Sequence, residues 1–137
     1  MVFVTQADSG EYYSIPYTYG PTPIYVTSTS GVRSTFSSNF VYFQGIVTDS
    51  QSNVYTSYAS FNQLYKVTPG DIKTVIALPG YPTHLARDSR DNIYATLATS
   101  DSIAKITPGG IVSTFAMLPS VANDISVDES DNIYVIA

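Results

Sequence analysis

Apolar and polar residues alternate with a period of two in short runs along the whole chain, a pattern typical of β-strands. The clearest run covers residues 92–97, where every second residue from Ile93 to Leu97 is aliphatic. Around it, the pattern predicts strands at residues 83–88, 92–97, 102–107 and 111–117. No window keeps a helical period over about ten residues, so we expect an all-β protein built from four-stranded antiparallel meanders.

One short phrase recurs four times and sets the organisation of the chain. It starts with an aspartate and ends with a tyrosine. The leading residues are Asp8, Asp49, Asp88 and Asp128, which lie 41, 39 and 40 residues apart. A period near forty residues indicates tandem repeats. We therefore predict one domain over residues 1–137, with repeats at 2–39, 40–78 and 79–118 and half a repeat at 119–137.

Two kinds of turn separate the predicted strands. Segments 68–71 and 107–110 read Thr-Pro-Gly followed by Asp or Gly. Pro at the second position and Gly at the third predict type II turns. In the recurring phrase, the leading carboxylate can accept hydrogen bonds from the amides ahead of it. Asn and Asp residues there tolerate a left-handed backbone.

Four-stranded units of this length in tandem are typical of the blades of a β-propeller, where each blade buries the faces of its neighbours. An all-β sandwich of duplicated hairpins is the alternative, but sandwiches rarely keep so strict a period. Three and a half repeats fall short of the roughly four to eight blades of a closed ring. We expect either a piece of a longer propeller or an arc that closes with another copy, because bare apolar faces and strand edges would otherwise remain.

The repeats resemble those of NHL-type propellers, whose pattern runs Gly-Ile-Ala-Val-Asp, a turn with Gly-Asn, then Ile-Tyr-Val. The matching segments are Gly45-Ile-Val-Thr-Asp49 with Asn53-Val-Tyr55, Leu85-Ala-Arg-Asp88 with Asn92-Ile-Tyr94, and Ile125-Ser-Val-Asp128 with Asn132-Ile-Tyr134. Segments 66–70 and 105–115 also resemble the virginiamycin B lyase branch. The resemblance implies the six-bladed propeller superfamily that includes the regucalcin-like lactonases. The turn glycine of the pattern is replaced here by Ser52, Asp91 and Asp131.

Composition narrows the classes of partner. The apolar fraction of 44% is enough for a core, and the chain has no cysteine for disulfides or thiolate chemistry. The net charge is −5 and the six basic residues are dispersed, which argues against a nucleic-acid surface. No apolar run approaches the length of a membrane span. The first residues do not resemble a signal peptide, yet the Ser-, Thr- and Tyr-rich, Lys-poor composition favours an extracellular or surface setting.

In propellers the first strand of each blade lines the central channel, where ligands bind. The residues five positions before each leading aspartate are Phe3, Gln44, Thr83 and Asn123, and the next residues are Val4, Gly45, His84 and Asp124. These residues differ between repeats, as a site requires. We therefore take Gln44, Thr83, His84, Asn123 and Asp124 as ligand-binding candidates.

The family resemblance implies two chemical roles at these positions. In the lactonase-like propellers an Asp or Asn at this spacing ligates a divalent metal, and Asn123, with Asp124 beside it, matches that place. Ca²⁺ or Mg²⁺ is the cofactor implied, but Phe3 and Thr83 do not supply the other ligands. The lyase branch uses a histidine near His84 as an acid–base group, and here the order Pro-Thr-His is one residue off. The structural alternatives are a polar loop residue at Asn123 and a channel-lining His84.

Three functions remain open from the sequence. The first is a non-catalytic binding or scaffold module for a protein or carbohydrate partner. The second is a metal-assisted enzyme of the lactonase or lyase kind, with His84 and Asn123 in the channel. The third is a structural arc of a surface assembly or fibre. A tyrosine- and proline-rich insertion suits either contact with a partner or packing between blades, and its tyrosines are Tyr12, Tyr13, Tyr17, Tyr19 and Tyr25.

Overall fold

The computed structural model describes residues 1–18, 20–41 and 43–137, which form four antiparallel sheets. Blade 1 contains β1 (Val2–Gln6), β2 (Tyr12–Pro16), β3 (Thr22–Thr27) and β4 (Arg33–Phe40). Blade 2 contains β5 (Ile46–Thr48), β6 (Val54–Tyr58), β7 (Gln63–Val67) and β8 (Lys73–Ala77). Blade 3 contains β9 (Pro82–Arg87), β10 (Ile93–Leu97), β11 (Ser102–Ile106) and β12 (Val112–Met117). Blade 4 has two strands, β13 (Asp124–Val127) and β14 (Ile133–Ile136).

Within each sheet the strands follow one another in sequence order, so each full blade is the expected four-stranded meander. The strands predicted for the third repeat are confirmed to within one residue at each end. A 3₁₀ turn at Ala59–Phe61 lies between β6 and β7. No helix in the described part of the chain has the length and hydropathy needed to cross a membrane.

The first strands of the four blades stand side by side at the centre of the arc. β1 lies beside β5, β5 lies beside β9, and β9 lies beside β13. The first strands therefore lie innermost in the arc, which is where a propeller has its central channel. The later strands of each blade lie progressively farther out, as in a β-propeller.

The aspartate of the recurring phrase is a turn-forming residue. Asp88 Oδ1 accepts hydrogen bonds from the Arg90 and Asn92 amides at 3.0 and 2.9 Å. Its Oδ2 accepts from Asn92 Nδ2 at 2.8 Å and from Tyr94 Oη at 3.0 Å. Burial alone would raise the pKa of Asp88, but these hydrogen bonds outweigh it and hold the pKa below its usual value.

Blade 1 departs from the sequence alignment by one residue. The Ala7 amide donates to Glu11 O, as the Asp49 amide donates to Asn53 O in blade 2. Ala7, rather than Asp8, therefore occupies the place of the leading aspartate, and the alignment of the first repeat on Asp8 is wrong. The aligned feature is the tyrosine, since Tyr13 pairs with Thr5 as Tyr55 pairs with Val47.

The left-handed backbone expected in these turns is present. Ser52, Asp91 and Asp131 have φ of 60°, 63° and 62°, at the places where the NHL pattern has glycine. Type II geometry at the Thr-Pro-Gly turns is wrong, because the positive φ falls one residue later, at Asp71 (60°) and Gly110 (84°). Each is a type I turn followed by a left-handed residue, which suits the twist of the hairpin.

Apolar faces of neighbouring blades pack against each other to form the core. Tyr13 and Ile15 of blade 1 pack on Val54 and Val67 of blade 2. Blades 2 and 3 bury a second cluster that includes Tyr55, Leu64, Ile93 and Ile106. Blade 3 meets blade 4 through a third cluster that includes Tyr94, Ile103, Ile125 and Ile133.

Hydrogen bonds between the turns also link the blades. The amide and hydroxyl of Ser50 in blade 2 donate to the Asp91 carboxylate in blade 3, at 3.0 and 2.5 Å. Ser89 of blade 3 donates in the same way to Asp131 of blade 4, at 2.8 and 2.6 Å. The second residue of one turn thus binds the left-handed residue of the next.

Candidate site at the channel mouth

Strand pairing shows which residues of the four first strands occupy equivalent positions near the candidate site. The residues that pair with the repeat tyrosines are Thr5, Val47, Ala86 and Ser126. Two residues earlier on each strand lie Phe3, Gly45, His84 and Asp124. The sequence alignment had placed Phe3 with Gln44, Thr83 and Asn123, and the one-residue shift of blade 1 corrects this.

Two cavities lie at this end of the first strands. The smaller, of about 130 Å³, is lined by Phe3, Val4, Gln44, Gly45, Ile46, His84, Leu85 and Asp124. The larger, of about 270 Å³, is lined by Met1, Phe3, Tyr17, Gln44 and His84. Phe3, Gln44 and His84 are common to both, so they define the candidate site.

Gly45 lets the first strands of blades 2 and 3 approach closely beneath the site. A Cβ atom at Gly45 would lie 3.0 Å from Thr83 O and 3.3 Å from Leu85 Cγ. Both contacts are tighter than an ordinary van der Waals approach, and the first is to backbone that cannot swing aside. Any larger residue here would push the strand carrying His84 outwards.

His84 is held at the channel by its backbone. Its amide donates to Thr96 Oγ1 at 3.0 Å, and that hydroxyl also contacts Thr83 Oγ1 at 2.8 Å. The ring nitrogen Nδ1 is buried, and among the described residues it has no hydrogen-bond partner. An unpaired buried N–H costs more than an unpaired lone pair, which favours the tautomer with its proton on Nε2.

Gln44 and Thr83 differ in whether their side chains are available to hydrogen-bond a ligand. Gln44 Nε2 donates to Tyr81 Oη over 3.4 Å, a long contact that a ligand could replace. Thr83 Oγ1 is engaged with Thr96 inside blade 3, and Thr83 lines neither cavity. The structure therefore brings Gln44 and His84 together, whereas Thr83 acts as a support for the strand.

The predicted metal ligands do not form a cage. Asn123 is exposed and lines neither of these cavities. Its backbone amide donates a hydrogen bond to Ile136 O at 2.6 Å. Asp124 lines the smaller cavity, but its Oδ1 accepts the Ile125 amide at 2.8 Å. In residues 1–18, 20–41 and 43–137 no three acidic or histidine side chains converge. These donors alone do not fit the six to eight oxygen ligands, roughly, that Ca²⁺ takes.

An aromatic shelf follows the site along the chain, and the sequence interpretation missed it. The shelf consists of Phe43, Tyr58 and Phe61, with ring centroids 6.0 and 5.0 Å apart in succession and planes tilted by 34° and 35°. Phe43 precedes Gln44, whose backbone amide donates to Ser57 Oγ at 3.1 Å. Phe43 itself is buried in the core between blades 1 and 2, and none of the three rings lines either cavity. Phe61 is 61% exposed. The signal available in the sequence was two aromatics three residues apart, Tyr58 at the end of β6 and Phe61 in the 3₁₀ turn.

The tyrosine-rich insertion divides between core and site. Tyr13 is buried between blades 1 and 2, whereas Tyr12 and Tyr17 are partly exposed. Tyr17 lines the larger cavity and meets Phe3 edge to face, with ring centroids 6.4 Å apart. Tyr25 packs under the Arg33 guanidinium at 4.5 Å. Tyr19 lies outside the described residues.

Comparisons with known proteins bear on the fold. No protein-family model and no curated protein sequence matches the chain. Virginiamycin B lyase from Staphylococcus aureus is similar in structure, with a TM-score of 0.79 and 17% identity over 97% of this chain and 47% of that one. This chain has the fold of such propellers. The likeness confirms the fold that the repeats predicted.

Two other solved structures carry the same fold. A gluconolactonase from Xanthomonas campestris matches with a TM-score of 0.77 and 12% identity, over 98% of this chain and 52% of that one. Regucalcin from Agrobacterium tumefaciens, a calcium-binding protein, matches with a TM-score of 0.74 and 13% identity, over 98% and 51%. The chain thus spans about half the length of these structures.

Proposed function

We propose that the chain is a non-catalytic binding module that holds a carbohydrate at the channel mouth. The observation that supports this most directly is the lining of the larger cavity. It combines two aromatic rings, Phe3 and Tyr17, with two polar side chains, Gln44 and His84. At about 270 Å³ the cavity lies just below the range for drug-sized ligands, which suits a single sugar ring.

The polar groups suit hydroxyl ligands. With the proton of His84 on Nε2, the ring donates to an oxygen acceptor in the cavity it lines. The Gln44 amide offers both donor and acceptor, and its long contact with Tyr81 leaves it free to turn. A sugar hydroxyl donates and accepts, so it can satisfy both side chains, while the apolar face of the ring packs on Phe3.

The aromatic shelf extends the site for a longer glycan. A sugar in the cavity continues towards Tyr58 and Phe61, whose rings offer large, stiff contact area at low entropic cost. The ligand class is therefore a neutral oligosaccharide, in keeping with a chain of net charge −5, which repels anions.

Titration calorimetry against neutral mono- and oligosaccharides tests the proposal. Phe3→Ala and Gln44→Ala should each weaken binding by at least about tenfold, and Phe61→Ala should weaken only the longer ligands. Phe115→Ala is the matched control, because it removes an exposed ring on the outer strand of blade 3. Equal affinity for the Phe3→Ala variant, or binding of a peptide instead of sugars, would refute the carbohydrate assignment.

A lactonase- or lyase-type enzyme is the second candidate, supported by one observation. His84 and Asp124 line the same cavity of about 130 Å³, so an acid–base pair can face one substrate there. Hydrolysis of simple lactones, or ring opening of a cyclic ester, that is lost in His84→Ala and retained in Thr83→Val would favour it. Assays with and without Ca²⁺ or Mg²⁺ would show whether Asn123 and Asp124 recruit a metal.

A further inference from the structure

Charged side chains are concentrated at one end of the strands. In the described part of the chain, seven hairpin turns share a hydrogen bond from the amide of the first residue to the carbonyl of the fifth. These turns span residues 7–11, 28–32, 49–53, 68–72, 88–92, 107–111 and 128–132. Bonds between turns of neighbouring blades place them at one end of the arc, which we call the turn end. All six basic residues, and every acidic residue except Asp101 and Asp124, lie in these turns or within two residues of them.

The opposite end of the strands is almost without charge. It carries the connections between the second and third strands of each blade and those between successive blades. We call the described residues of these connections the loop end, and they are residues 17–18, 20–21, 41, 43–45, 59–62, 78–81, 98–101 and 118–123. Within this set Asp101 is the only charged residue, and Asp124 begins the strand that follows it. The cavities at the channel mouth open at this same end.

Blades that pack side by side leave the loop end open. Blade 2 is covered on one face by blade 1 and on the other by blade 3, yet Ser60 and Phe61 in its connection are exposed. Thr99 is likewise exposed in blade 3, which packs between blades 2 and 4. Further blades in a ring would join the faces of the sheets, so they would not cover these residues.

The exposed residues of the loop end combine neutral hydrogen-bonding groups with rings and aliphatic groups. The polar ones include Thr18, Asn62, Thr99 and Ser120. The apolar ones include Tyr17, Phe61, Pro79 and Val121. A partner that covers this end removes almost no charge from water, and it must satisfy hydroxyl and amide groups.

A neutral, hydroxyl-rich partner fits these groups better than a lipid surface does. Hydroxyls and amides that enter a lipid layer lose their hydrogen bonds to water and gain none in return. Segments that bind membrane surfaces also carry basic residues, and the loop end as described has none. Sugar hydroxyls both donate and accept, and the apolar faces of sugar rings pack on exposed rings such as Phe61.

We propose that the loop end docks on the surface of an insoluble neutral polysaccharide and contacts several of its chains at once. This inference rests on the proposed function, in which the cavity lined by Phe3, Tyr17, Gln44 and His84 holds one sugar. That cavity takes the end of a single chain, whereas the connections around it extend over all four blades. The charged turn end then faces water, so the charge distribution fixes which way the protein lies.

Depletion of the full chain from solution by insoluble particles tests the docking. The probes are microcrystalline cellulose, chitin and a water-insoluble β-1,3-glucan. At least one should remove the protein, to the same extent at about 0.1 M and about 1 M salt, because the contact holds almost no charge. Depletion by phosphatidylcholine vesicles and not by these solids would overturn the proposal, as would binding that disappears at high salt.

Paired charge insertions test which end is used. Ser60→Asp combined with Ser120→Asp puts two carboxylates at the loop end and should weaken binding to the solid by at least about tenfold, because each loses hydration on docking. Ser34→Asp combined with Ser113→Asp is the matched control. It adds the same charge at exposed sites near the turn end and should change nothing. Equal weakening in both double variants would overturn the orientation.

Calorimetry with a soluble sugar separates this inference from the proposed function. The double variant Ser60→Asp, Ser120→Asp should keep wild-type affinity for a monosaccharide in the cavity, because neither residue lines it. Binding of soluble sugar by a wild type that no solid depletes would overturn the docking and leave the cavity assignment intact. Depletion by a solid, with no affinity for soluble sugar, would support the docking surface and refute the cavity assignment.

Discussion

The interface between blades 2 and 3 and the open face of blade 4, formed by the exposed Ser126, Tyr134 and Ile136, carry the same recurring phrase in opposite surroundings. In both, a leading aspartate accepts hydrogen bonds from the turn amides and from the asparagine side chain. At the interface, Tyr55 and Asp49 are buried, whereas Tyr134 is exposed on the open face. The local turn therefore forms without a neighbour, and burial is what the neighbour adds.

The difference separates two sources of stability. The backbone hydrogen bonds of the turn recur in all four blades and the carboxylate bonds recur in blades 2 to 4, so these local bonds set the shape of each turn. Burial of apolar surface contributes about 25 cal/mol per Å² and comes from the adjoining blade. Substitutions at one repeat position should consequently have very different effects in different blades.

The largest contrast is expected at the repeat tyrosine. Tyr55→Ala should lower the free energy of unfolding by about 3 kcal/mol or more, because it leaves a cavity between blades 2 and 3. Tyr134→Ala should leave the urea midpoint close to that of the wild type when measured on dilute, monomeric protein. Similar losses in the two variants would show that the open face is buried in solution.

A smaller contrast is expected at the leading aspartates. The lowered pKa of Asp88 means that its contribution to stability is present above its ordinary pKa and is lost as pH falls through the folded-state value. Asp88→Asn should lower stability at neutral pH by about 1–3 kcal/mol, since amides and hydroxyls lose a charged acceptor.

Urea unfolding midpoints measured as a function of pH test the predicted direction of this pH dependence. The wild type and Asp88→Asn should begin to converge as pH falls below about 4, and should converge fully only below the lowered pKa of the folded Asp88 carboxylate. Asp128→Asn is the matched variant in the exposed copy, and its midpoint should differ less from that of the wild type at every pH. A constant gap between the wild type and Asp88→Asn down to low pH would contradict the linkage.

The smallest effect is expected at the ion pair that joins blades 1 and 3. Arg87 donates to Asp8 at 2.6 Å, and this bond holds the pKa of Asp8 below its usual value. Because Asp8 is exposed, Asp8→Asn should cost at most about 1 kcal/mol at low salt. The cost should vanish near 1 M salt, and persistence there would point to a role beyond charge.

The repeat period was enough to predict the blade architecture, because every turn and strand recurs at nearly fixed spacing. It misplaced Asp8, since Ala7 forms the same backbone turn without a carboxylate and only hydrogen bonding reveals it. It also misjudged the Thr-Pro-Gly turns, because the following residue takes the left-handed conformation. At the site, spacing alone found His84 and Gln44, but not the aromatic shelf, in which Tyr58 at the end of β6 contacts the rings of Phe43 and Phe61.

The serine–aspartate links between turns bear on how such a chain can grow by gene duplication. A second blade 3 inserted directly after the first would meet Asp91 with Ser89, the pairing already used at that interface. A duplicate of blade 4 would instead set Asp131 against Glu129, two acids at one junction. Among the described blades, blade 3 is therefore the one whose tandem copy would keep a favourable serine–aspartate link to its neighbour.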